Sequence, residues 1–156
     1  IAVGAKWMEA LNAGGETLPG IDYTQIYTRT DDVAIPNFDE ANGVSSLRTG
    51  DGNKVNIATQ DICLTNTADH FLVGSSDAVG FAIVSDALAH PGVASVERLQ
   101  ALTPGLCLTP FMPGVDPLMF PINFATKMMS TFAQSVTLQP KSTEEPALRC
   151  YAGGEC

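Results

Sequence analysis

Two side chains in this sequence have the types and the order needed for acyl-transfer chemistry: Asp31 and, about forty residues later, His70. An imidazole can take the proton of a nucleophilic hydroxyl and return it to a leaving group. A carboxylate behind that imidazole fixes its tautomer and stabilises the imidazolium that forms. An acid past one strand and a base past the next are the last two members of a Ser…Asp…His order. Spacing alone is equally met by a turn-capping Asp and a surface His. The first member is missing. No Gly-x-Ser-x-Gly occurs, since Gly74-Ser75-Ser76-Asp77-Ala78 and Gly43-Val44-Ser45-Ser46-Leu47 both lack the final glycine. Residues 1–30 contain no serine at all.

The elements that must position this pair follow from local pattern. Residues 23–28, rich in β-branched and aromatic side chains after Pro19-Gly20, read as a strand ending at Arg29-Thr30-Asp31-Asp32. Residues 55–60 alternate apolar and polar and read as a second strand, with Cys63 and a polar loop leading on to Asp69-His70. Between them, residues 38–54 are loop-like, with turn signals at Asn42-Gly43 and Asp51-Gly52-Asn53. Residues 6–13 read as a helix stopped by Gly14-Gly15. A longer helix starts at Ser76-Asp77, with Asp77 as its cap, and ends at His90-Pro91-Gly92; Phe81, Val84 and Leu88 form its expected buried face. This alternation predicts an α/β architecture with a mostly parallel sheet and flanking helices, in one domain without internal repeats. Functional side chains then gather at the carboxyl ends of the strands, where Asp31 and His70 are expected. His90 reads as a cation at a helix end, Asp61 and Asp69 as solvated, and Trp7 as a packing residue.

Composition narrows the field. The net charge is −9, from 17 acidic and 8 basic residues with no Lys/Arg cluster, which excludes a nucleic-acid partner. Only 16% of the residues are charged, and between positions 101 and 136 the only charged side chains are Asp116 and Lys127. That apolar stretch must fill a core, meet another part of the protein or face a greasy ligand; as a lipid-contacting mouth it would use Met side chains that adapt to varied chains. Pro110, Pro113, Pro117 and Pro121 interrupt it too often for a membrane span. The four cysteines, Cys63, Cys107, Cys150 and Cys156, form no CxxC pair, so two disulfides in an oxidising compartment are expected rather than a metal. Three pairings are open, one of which closes a tight Cys150–Cys156 loop and leaves Cys63 with Cys107. The chain opens on Ile1-Ala2-Val3-Gly4, without an initiator Met or a signal peptide, so an upstream segment is expected.

The words around the acid and base carry a resemblance. Tyr27-Thr28-Arg29-Thr30-Asp31-Asp32-Val33-Ala34-Ile35-Pro36 resembles the Tyr-Ser-x-Thr-Asp-Glu-x-Val-x-Pro segment of the Candida antarctica lipase B family of fungal secreted lipases and of related actinobacterial lipases. Cys63 followed by Ala68-Asp69-His70 resembles the family's Cys followed by Asp-His or Glu-His. Ala10-Leu11-Asn12-Ala13-Gly14-Gly15 and Cys107-Leu108-Thr109-Pro110 match as well, and beyond Cys107 the likeness fades.

That resemblance implies the C-terminal part of a secreted α/β-hydrolase domain over residues 1–156, with 139–156 as a disulfide-tethered tail. It implies a carboxylic ester hydrolase, a lipase, with Asp31 as triad acid, His70 as triad base, and Val33 and Ala34 lining the acyl site. It further implies a Cys63–Cys107 disulfide and, by a looser match, Cys150–Cys156. Asp32 stands where the relatives carry Glu. No metal or organic cofactor is required. The partners implied are an ester or lipid substrate, a lipid interface, and the missing N-terminal segment of the same hydrolase. That segment would bring the serine and most oxyanion donors, so this chain alone is expected to be inactive. Two other readings remain: a non-catalytic lipid- or partner-binding module, and a truncated gene product.

Overall fold

A computed structural model describes residues 4–138 and 142–154 of the chain. They fall into two compact units, one of residues 15–115 and one built from residues on either side of it.

Within residues 15–115, strand β1 (Asp22–Tyr27) pairs in parallel with β2 (Asn53–Ala58), Asp22 opposite Asn53 and Tyr27 opposite Ala58. The protein is therefore α/β, with a parallel sheet of two strands among the described residues. Parallel strands in this register end side by side, so the turns that leave them start from the same edge. β2 stops sooner than its alternation suggests because Thr59 and Gln60 already wind into the short helix α2 (Thr59–Ile62). Then come α3 (His70–Val73), α4 (Ala78–Ala89) and α5 (Val96–Gln100). The core joins Ile57 of β2 to Ile62, Cys63, Val79, Ile83, Ala94 and Leu99. A large aliphatic side chain among these, once buried, stabilises the fold by about 1.5–3 kcal/mol.

Helix α4 starts as expected: the Asp77 carboxylate accepts the Gly80 amide at 2.7 Å. It buries a different face from the one its spacing suggests. Val79, Ile83 and Asp86 turn inward, whereas Phe81, Val84 and Leu88 are 41%, 45% and 83% exposed. The helix is apolar almost all round, so period alone marks two faces, and the face that includes Gly80 is the one that packs closely.

A crossover between parallel strands is usually helical. Here it is an irregular segment, several of whose backbone groups are satisfied by side chains. Arg48 donates to the Gly43 carbonyl at 2.7 Å, and the Glu16 carboxylate accepts the amides of Arg48 and Thr49. The Asn56 amide both accepts from and donates to Leu47. Gly50 lies at φ 86 with Thr17 so close that a Cβ would sit 2.2 Å from its carbonyl oxygen.

The second unit contains α1 (Lys6–Asn12) and α6 (Phe120–Thr137). Ala5 cannot cap α1, and Glu145 from the polar tail does so instead, accepting the Lys6 and Trp7 amides at 2.9 and 2.8 Å. Trp7, expected to pack, is half-exposed. No side chain described in α6 is buried, and Ile122, Met129 and Phe132 stand largely in solvent, so the α6 part of the apolar stretch does not form a core, whereas Leu106 and Cys107 pack against that of residues 15–115. Among the described residues no helix is long and apolar enough to cross a membrane.

Candidate active site

Asp31 and His70 meet. The turn after β1 brings the Asp31 carboxylate to the His70 ring, with Nδ1 at 3.1 Å from each carboxylate oxygen. Asp31, and not its neighbour Asp32, makes this contact. Its side chain is only 6% exposed, while that of His70 is 40% exposed, so the acid lies beneath a ring that remains open to solvent. A carboxylate accepts only, so Nδ1 carries the proton and the neutral ring presents a lone pair at Nε2.

The acid is held from below by its own turn. Oδ1 accepts the backbone amides of Val33 at 2.9 Å and Ala34 at 2.7 Å. Burial alone would push the Asp31 carboxyl up. The Ala34 and Val33 amides, followed by His70, outweigh it and hold the group below the ordinary carboxylate value. Asp31 thus stays ionised at neutral pH. Val33 and Ala34 act here through the backbone; the Val33 side chain is 55% exposed beside the pair and Ala34 is half-buried.

The base enters at the first residue of α3. Asp69, expected to be solvated, caps that helix by accepting the Phe71 and Leu72 amides, which fixes where His70 leaves the backbone. Asp61 is likewise engaged, paired with Arg29 and accepting the Ala58 amide. The loop between β2 and His70 is tied at its start by a Cys63–Cys107 disulfide. Cys150 is also disulfide-bonded, and its expected partner Cys156 lies outside the described residues. His90 ends α4 as expected, its Nδ1 3.0 Å from the Asp86 carbonyl oxygen.

A polar cluster that the sequence did not single out lies behind the pair. Thr28 is fully buried and Gln60 nearly so. The Gln60 side-chain amide donates to Thr28 Oγ1 at 2.9 Å and to the Asn66 carbonyl at 3.0 Å, and its oxygen accepts the Arg29 amide at 3.0 Å. The only sequence signal is that these polar residues follow the strand ends.

Among the described residues, no three His, Cys, Asp or Glu side chains are grouped to hold a metal ion. The arrangement is suited to moving a proton at Nε2 while a buried anion stabilises the charged ring. Compared with known proteins, the chain matches no protein-family model and no curated protein.

Proposed function

We propose that this chain is the acid-and-base portion of a carboxylic ester hydrolase, a lipase of the α/β-hydrolase fold, acting through an acyl-enzyme intermediate. The observation that carries the reading is the Asp31 carboxylate set against His70 Nδ1, with the His70 side chain 40% exposed. His70 Nε2 takes the proton of a serine hydroxyl as its oxygen attacks the ester carbonyl. The resulting imidazolium, stabilised by Asp31, gives that proton to the departing alkoxide. A water then repeats the sequence on the acyl-enzyme and releases the acid. The serine and the oxyanion donors come from an upstream segment of the same hydrolase. The second edge of β1, unpaired among the described residues, and the exposed Phe81, Val84 and Leu88 of α4 support a further segment packing there. The Cys63–Cys107 disulfide supports a secreted protein.

A second reading, a lipid-binding module without catalysis, draws on an open groove of about 700 Å³ whose walls include Phe81, Leu99, Leu102, Leu106 and Phe111. Hydrolysis of p-nitrophenyl butyrate separates the two. The hydrolase reading expects no turnover by the chain alone and turnover once it is joined to its upstream segment. A folded joined protein that binds fatty acid without hydrolysing the ester supports the binding module instead.

A further inference from the structure

The acid and the base sit on separate segments, and their contact is only as good as the register between those segments. The two segments are tied together by the buried Thr28 and Gln60 and the half-buried Asn66, none of which is hydrogen-bonded to the imidazole. Ala68, two residues before His70, is 7% exposed, and its carbonyl accepts two hydroxyls from the acid turn: Thr28 Oγ1 at 2.7 Å and Thr30 Oγ1 at 2.8 Å. Thr28 and Thr30 precede Asp31 by three residues and one. The Ala68 amide in turn donates to the Asn66 side-chain oxygen at 3.1 Å. Asn66 is fixed from both ends, because Gln60 donates to its carbonyl while its own side chain donates to Asp77 Oδ1 at 2.7 Å. Asp77 caps α4 with its other oxygen. Gln60 thus clamps three pieces at once: the Arg29 amide, the Thr28 hydroxyl and the Asn66 carbonyl.

We infer that Gln60, Thr28 and Asn66 are positioning residues that hold the loop bearing His70 in register with the turn bearing Asp31. The catalytic meaning of this rests on the ester-hydrolase reading, but the geometry does not. A buried polar network with its members satisfied specifies one arrangement, because any slip strands a donor or acceptor away from water. Loss of the Thr28 hydroxyl removes one of two anchors on Ala68 and leaves the Gln60 amide short of an acceptor. The isosteric Thr28→Val keeps the volume, and Thr28→Ser keeps the hydroxyl. Asn66 lies half-buried on a loop, so Asn66→Ala removes the acceptor of the Ala68 amide and the tie to Asp77 without opening the core.

The test is NMR of the 15N-labelled full chain, reading the His70 Nδ1 proton. In the wild type and in Thr28→Ser, a downfield Nδ1 proton protected from exchange by Asp31 is expected. In Thr28→Val and in Asn66→Ala that resonance is lost to exchange while thermal unfolding stays cooperative. If Thr28→Val does not fold, Asn66→Ala decides. A folded Thr28→Val or Asn66→Ala that keeps the resonance unchanged overturns the inference. No turnover is needed for this readout, so resonance loss in the variants together with a folded joined protein that hydrolyses no ester would remove the hydrolase reading and leave the register role standing. In an active joined protein, Thr28→Val lowers kcat by about a hundredfold with KM nearly unchanged, the size expected for a small misplacement of a catalytic group. Thr28→Ser restores it.

Discussion

Replacing Asp31 by Asn changes one atom in the pair and should reverse the sense of the site. The Asn oxygen can still accept the Val33 and Ala34 amides that Oδ1 now accepts at 2.9 and 2.7 Å. Its NH2 group then faces His70 Nδ1, where the wild type offers a second acceptor oxygen at 3.1 Å. Oδ1 is also 3.1 Å from Nδ1 but is already taken by the two amides, so the NH2 donor favours an acceptor at Nδ1 and moves the ring proton to Nε2. A ring protonated at Nε2 cannot accept the proton of a serine hydroxyl. The charge-assisted hydrogen bonds from His70 and from the Val33 and Ala34 amides all become neutral ones while the cost of burying the charge is removed, so folding stability should fall by about 1–3 kcal/mol. The loss of rate is much larger: about 10⁴-fold in kcat, equivalent to about 5 kcal/mol of barrier. Nitrogen chemical shifts of His70 report the tautomer in the chain itself, and ester hydrolysis reports kcat in the joined, serine-bearing protein. An Asp31→Asn variant that keeps its ring proton on Nδ1, or that retains activity within tenfold, refutes the reasoning.

Other outcomes follow from the same geometry. Changing both Cys63 and Cys107 to Ala frees a 44-residue separation in the unfolded chain and should cost about 4 kcal/mol by loop entropy, measured by urea unfolding; a loss under about 1 kcal/mol would contradict this. Asp86, its side chain 8% exposed, is gripped first by Arg98 through two hydrogen bonds, with burial opposing and the Ser95 amide assisting, and its carboxyl is lowered from 3.8 to about 2. The ionised form therefore favours the fold: about 1–2 kcal/mol, allowing for solvent at Arg98, is present above pH 3.8 and lost as pH falls towards about 2. Asp86→Asn should flatten that part of the acid-unfolding curve, and an unchanged curve would count against the pairing. Gly50→Ala forces a side chain into φ 86 and onto Thr17, so a loss of about 2 kcal/mol or more is expected in thermal unfolding; an unchanged midpoint would mean that this approach is not close.

The approach of Asp31 to His70 was legible because its signals are local. A β-branched run before Asp31, a second alternating run before His70 and the parallel rule for such strands were enough to bring both turns to one edge. The Asp77 cap was legible for the same reason, since a side chain that bonds its own helix depends on nothing distant. Packing was not. Helix α4 carries apolar residues around most of its circumference, so Phe81, Val84 and Leu88 fit the period as well as Val79 and Ile83, and only the surrounding fold selects the latter. Which of the three alternatives holds for the stretch around α6 was not legible, because apolar composition says that surface needs cover without saying where cover is found. Gln60 and Thr28 escaped notice because they bond each other, the Arg29 amide and the Ala68 carbonyl across about thirty to forty positions, which leaves no pattern in the sequence. Val33 and Ala34 contribute amides to Asp31, a role that their side chains could not announce.

The central claim is that His70, oriented by Asp31, is the proton-transfer group of an esterase. Its most direct test is p-nitrophenyl butyrate hydrolysis by the chain joined to its upstream segment, with and without His70→Ala. The substitution should lower kcat by at least about a thousandfold while the protein stays folded and KM changes little. Hydrolysis that persists at a comparable rate without the His70 imidazole would contradict it.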